Sequence, residues 1–125
     1  MDLKTIFIIL IVHYIADFIM QTEIMASKKS ENIYWLGTHC FIYGVGIFFL
    51  LFLCNILSFI VISSYFYLFL FALGNAIFHF LIDFTTSKIE TYFYLKKMNR
   101  AFFNVIGIDQ LAHVIILLIS FNFFK

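Results

Sequence analysis

Residues 64–87 read SYFYLFLFALGNAIFHFLIDFTTS, a stretch with one acidic side chain, Asp83, and no Lys, Arg or Glu. A hydrocarbon core about 30 Å thick is crossed by about 20 mostly apolar residues in a helix. The stretch therefore predicts a membrane span. Three more segments outward from it have the same character. The four expected spans are about Leu3–Met25, Trp35–Leu57, Ser64–Ser87 and Phe102–Phe123. Composition agrees: 64% of the 125 residues are hydrophobic and 12% charged, where a soluble domain has roughly 25% charged. Such a chain cannot cover a surface in water, so lipid is its solvent. The expectation is an all-α membrane protein, one domain over residues 1–125, folded as an up-and-down bundle of four transmembrane helices.

Two hydrophilic breaks are plain. One is Ser27-Lys28-Lys29-Ser30-Glu31-Asn32, and the other runs from Lys88 to Arg100. Between the second and third spans only Asn55, Ser58, Ser63 and Ser64 mark a turn, expected to be tight. Both hydrophilic breaks then lie on one side, with Lys28, Lys29, Lys88, Lys96, Lys97 and Arg100, against Lys4 and Lys125 opposite. The positive-inside rule puts these loops in the cytoplasm and both termini outside. Localisation in the cell (inner) membrane follows. The first apolar segment follows Lys4 like a signal peptide, but His13 and Asp17 interrupt it and no small-x-small cleavage site follows, so it reads as a retained helix.

A net charge of +1 excludes an electrostatic case for nucleic acid. Membrane lipid is the expected partner, with self-association into a homo-oligomer left open. Cys40 and Cys54, fourteen residues apart on one expected helix, cannot meet in a disulfide. Gly44, Gly46 and Gly74 read as close-packing positions.

The polar residues inside the spans carry the chemistry. His13-x-x-x-Asp17, His79-x-x-x-Asp83 and the reversed Asp109-x-x-x-His113 each place two side chains on one helix face. Because the last span runs the other way, all three pairs put Asp nearer the loops and His deeper. His39, near the start of the second span, falls at a similar depth. All four histidines and three of the four aspartates thus share one slab. An unpaired Asp mid-membrane costs about 2.5–3.5 kcal/mol on insertion scales, so three cost roughly 8–10 kcal/mol, comparable to a domain's whole stability. They must be protonated, paired or bound to a cation.

Imidazole nitrogen and carboxylate oxygen are what Zn²⁺, Mn²⁺ or Fe²⁺ accept. Expected ligands for one or two divalent ions are His13, Asp17, His39, His79, Asp83, Asp109 and His113. Catalytic carboxylates would be Asp17, Asp83 and Asp109, one of them a general base. Gln21 continues the face of Asp17 as a supporting partner, whereas Gln110 is expected to point away into a helix contact. Lys28 and Lys88, with Lys29, Thr22, Thr85, Thr86 and Ser87, surround the loop-side mouth and would bind a phosphate or headgroup. The reading that follows is a metal-dependent hydrolase of a lipid or other amphipathic phosphoester. Proton or metal-ion translocation is the alternative, and a small structural protein of phage type acting through oligomerisation comes third.

His13-Tyr-Ile-Ala-Asp17-Phe18 and His79-Phe-Leu-Ile-Asp83-Phe84 share the pattern H-x-x-x-D-F, so the two helical hairpins read as pseudo-repeats. The pattern fails at Trp35, where the second hairpin has Asp109. The run HYIADFIMQTEIMASKK from His13 to Lys29, then His39, HFLIDFTTSK and DQLAH, resembles a family of small bacterial and phage membrane proteins known as domain of unknown function 3307. That resemblance covers nearly the whole chain and implies a polytopic membrane protein without a defined activity. The His13/Asp17 and His79/Asp83 pattern is also distantly similar to predicted membrane-bound metal-dependent hydrolases, a likeness that implies an enzyme by analogy alone.

Overall fold

The computed structural model describes residues 1–124, and among these every regular element is helical. Asp2 starts α1 (Leu3–Tyr14) by accepting a hydrogen bond from the Thr5 N–H at 2.7 Å. The helix then widens into a π-helical turn, Ile15–Ile19, closed by the Met20 N–H donating to the Ile15 carbonyl at 3.0 Å. Met20 and Gln21 leave the helix, and Thr22 caps α2 (Glu23–Lys28). Asn32 caps α3 (Ile33–Ile56), α4 follows over Tyr65–Leu95, and α5 over Asn99–Phe124.

Among the described residues, three helices are long and apolar enough to cross a membrane: Ile33–Ile56, Tyr65–Leu95 and Asn99–Phe123. The expected first span, 3–25, is not one helix. It ends at Ile19, because Gln21 lies in a bend and Thr22 turns its hydroxyl to the Met25 N–H, restarting the chain as α2. The second hydrophilic break is also not a loop. α4 runs through Lys88–Leu95, since nothing there is Pro or Gly, and at 1.5 Å per residue its 31 residues reach about 46 Å. Only Lys96–Met98 join it to α5. The link from α3 to α4, Leu57–Ser64, is longer than the expected tight turn and is held by Asn55, whose side-chain oxygen accepts from the Ile62 N–H at 2.8 Å.

Two layers stack along the bundle. Away from the basic loops, Ile9, Val12, Ile47, Leu51, Leu68, Phe71, Leu117 and Phe121 form an apolar core. Toward the loops the interior becomes polar. The outside is apolar too: Phe41, Phe49, Phe66 and Phe103 are each more than 60% exposed, the inverse of a water-soluble surface. Gly44 meets α4 closely, where an added Cβ would stand 2.9 Å from that of Ala76, and Gly46 accommodates Met20 and Ala16. Gly74 has open space around it, so it is not a contact position.

Candidate metal centre

Asp17 comes from the π-helical turn, His39 from the second turn of α3, His79 and Asp83 from the middle of α4, and Asp109 and His113 from α5. With His13 at the end of α1, all seven are at most 5% exposed. Asp17 Oδ1 lies 3.2 Å from His39 Nε2 and 3.2 Å from His79 Nε2, and the two nitrogens are 2.9 Å apart. Asp83 Oδ2 stands 3.4 Å from His39 Nε2 and 3.7 Å from His79 Nε2. Donors around a tetrahedral ion at 2.0–2.1 Å are about 3.3–3.4 Å from one another. Asp17 Oδ1, His39 Nε2 and His79 Nε2 stand close to that spacing, so these three could share a divalent ion of borderline softness.

The surroundings fix these ligands by hydrogen bonds. His79 Nδ1 faces His113 Nδ1 at 3.1 Å, and His113 Nε2 lies 3.1 Å from Asp83 Oδ1 and 3.4 Å from Asp109 Oδ1. With Nε2 of His79 free to hold an ion, its Nδ1–H donates to His113, and the His113 Nε2–H donates to carboxylate, the outer support typical of metal-bound imidazole. The His79 ring is stacked on Tyr43, with centroids 4.1 Å apart. Thr86 donates to Asp109 at 2.5 Å.

Gln110 was expected to point away, yet it ties the network together. Its amide N–H groups donate to Asp17 Oδ2 at 3.0 Å and Asp109 Oδ2 at 3.1 Å, and its oxygen faces His13 Nε2 at 3.3 Å. His13 therefore looks onto Gln110 and, through Nδ1, the Tyr43 hydroxyl at 3.2 Å; it is 4.0 Å from Asp17 and stands behind the ligand set. Asp109 is likewise behind it. The donor groups close enough to share an ion are Asp17–His39–His79 and His79–Asp83–His113.

Of the three lysines expected around the mouth, Lys29 alone is seen to bond a cluster carboxylate. Lys28 is exposed and pairs with Glu31 at 3.3 Å, and Lys88 folds its ammonium over the Phe84 ring at 3.6 Å. Neither reaches the cluster, because each points outward from its helix. Lys29, the C-cap of α2, turns inward and donates to Asp83 Oδ2 at 2.8 Å. Burial opposes its charge, but Asp83 outweighs that and holds the Lys29 pKa above the ordinary lysine value. Gln21 does not continue the Asp17 face, since the helix has ended; its side-chain oxygen is buried with no hydrogen-bond partner, as is His39 Nδ1.

Helices of membrane-crossing length wrapped around buried His and Asp groups able to hold a metal define the class: a helical protein with membrane-span character and a candidate metal centre. The chain belongs to the family described as protein of unknown function (DUF3307), which it matches over residues 5–125. No curated protein matches it. No solved structure matches it either, so the likeness to metal-dependent hydrolases gains no support from known proteins.

Proposed function

We propose that this is an integral protein of the cell membrane that holds one divalent ion on Asp17, His39 and His79, with Asp83 beside them, and hydrolyses an amphipathic phosphoester at the cytoplasmic face. The observation that carries the reading is the convergence of Asp17 Oδ1, His39 Nε2 and His79 Nε2 within 3.2 Å of one another at a buried point. Four membrane-embedded segments are part of the proposal. The unbroken run of α1 and its π turn, Leu3–Ile19, is about 25 Å long, short of the hydrocarbon thickness by only a few ångströms, which local thinning absorbs.

A bound ion would supply Lewis-acid polarisation and an activated water. The chain's own groups do the rest. Asp83, held by Lys29 on one oxygen and His113 on the other, is fixed as a charged group beside the ligand trio. Lys29 provides a fixed positive charge facing developing negative charge. Gln110 and Tyr43 orient the inner groups without touching the reacting atoms.

The test is metal content by elemental mass spectrometry on detergent-purified protein. Wild type should carry about one equivalent of a transition metal, and Asp17→Ala and His79→Ala should carry none. Folded wild-type protein that stays metal-free when Zn²⁺, Mn²⁺ or Fe²⁺ is added would overturn the proposal. A second reading has its own support in the imidazole chain His39–His79–His113, whose N···N contacts of 2.9 and 3.1 Å could pass a proton to Asp109. It predicts proton flux in proteoliposomes from metal-free protein.

A further inference from the structure

A cavity of about 400 Å³ opens at the loop-side end between α2, α4 and α5. It lies in the range of small-molecule sites. Two of the residues lining it grip Asp83: Lys29 through the carboxylate at 2.8 Å, and Ser87 by donating its hydroxyl to the Asp83 carbonyl at 2.6 Å. The cavity is therefore one residue away from the candidate centre. Two further cavities are apolar, one lined by Phe41, Phe48 and Phe69 and one by Phe7, Ile11 and Leu53.

The lining is divided by chemistry. Lys29 supplies a positive charge at the Asp83 end. Glu90, about two turns beyond Asp83 on α4, supplies a negative one that is full only above neutral pH, because burial raises its pKa to about 7. Glu31 also lines the cavity but is paired with Lys28. Tyr94 and Phe102 add apolar walls. A purely anionic headgroup would meet Glu90 unfavourably, and a purely cationic one would meet Lys29. A headgroup carrying both signs satisfies both, and its acyl chains would lie against the exposed aromatic surface outside.

We propose that this cavity is the substrate site and that it takes a phosphoester headgroup bearing an amine, the phosphate toward Lys29 and the ammonium toward Glu90, as in an aminophospholipid. The assignment rests on the hydrolase reading above for its catalytic meaning, but the binding stands on the cavity alone. Discrimination comes from one ion pair in a half-exposed cavity, so it amounts to about fivefold.

The experiment offers the purified protein nanodiscs of equimolar phosphatidylethanolamine and phosphatidylglycerol. It reads the retained lipid by native mass spectrometry and the metal content on the same samples. Phosphatidylethanolamine should be enriched about fivefold on wild type, fall to parity on Glu90→Gln, and give way to phosphatidylglycerol on Glu90→Lys. Lys29→Met should retain less of either lipid. Equal retention by wild type, or preference for phosphatidylglycerol, overturns the site, and these wild-type outcomes do not depend on any variant folding. Undiminished enrichment on Glu90→Gln overturns it equally. Metal absent from all samples while the enrichment persists would sink the hydrolase reading and leave the lipid site standing; metal present without enrichment does the reverse.

Discussion

Gln110 commits both amide hydrogens to carboxylates and its oxygen to His13, so every polar atom of its side chain is used inside the cluster. Replacing it by Leu leaves two buried carboxylates each short of a donor. Gln110→Leu should lower stability by about 3–5 kcal/mol, read from thermal unfolding in detergent, and weaken metal loading roughly 10–100-fold. A variant as stable as wild type would show that the amide is a bystander. Six of the His and Asp positions could be singled out in the sequence because four-residue spacing on a helix reports a shared face, and His39 by its depth in the second span. Gln110 was hidden by its neighbour Asp109, about 100° away around the helix, although its three-residue spacing to His113 was a signal that it shares that face. Lys29 was legible only as one of several mouth cations. Which of Lys28 and Lys29 turns inward depends on where α2 stops, and no periodic pattern reports that.

At the scale of elements, hydrophilic residues mark where a chain meets water, not where a helix ends. That is why α4 runs on through Lys88–Leu95. The real stops are backbone motifs. Ser58 and Lys97 adopt left-handed conformations at φ 59° and 55°, and the Phe59 and Met98 N–H groups reach back to the carbonyls of Cys54 and Phe93 at 2.8 and 3.0 Å. These are glycine-type helix ends built without glycine, so propensity could not reveal them. Ser58→Gly should stabilise by about 0.5 kcal/mol, since relief of a roughly 1–2 kcal/mol backbone cost outweighs glycine's greater freedom when unfolded. A lower unfolding midpoint for Ser58→Gly would contradict the left-handed assignment. The π turn had no signature either, although a turn of this kind often accompanies a functional site. It also separates the H-x-x-x-D-F motifs, one on a widened turn and one on regular α-helix. The two hairpins are joined differently as well, through α2 in the first and three residues in the second.

For the whole molecule, apolar composition was enough to anticipate helices in lipid, while the number of complete spans was not, because a segment can be apolar and still break. The basic loop-side end fixes an expected orientation. In a Cys40→Ser, Cys54→Ser background, a cysteine at Ser30 should react with an impermeant thiol reagent only from the cytoplasmic side, and one at Asp2 only from outside. The reverse labelling would place the centre under the opposite leaflet. The trio that could share an ion draws one donor each from the π turn, α3 and α4, so its members are made at residues 17, 39 and 79 of a growing chain. Asp17 and His39 emerge early and wait as two isolated donors, too few to retain an ion. The third donor, His79, comes only with α4, and α5 then adds Gln110 and His113 around them. If the proposed ion binds, its capture would report on completed assembly, since a nascent chain halted before α4 lacks the third donor.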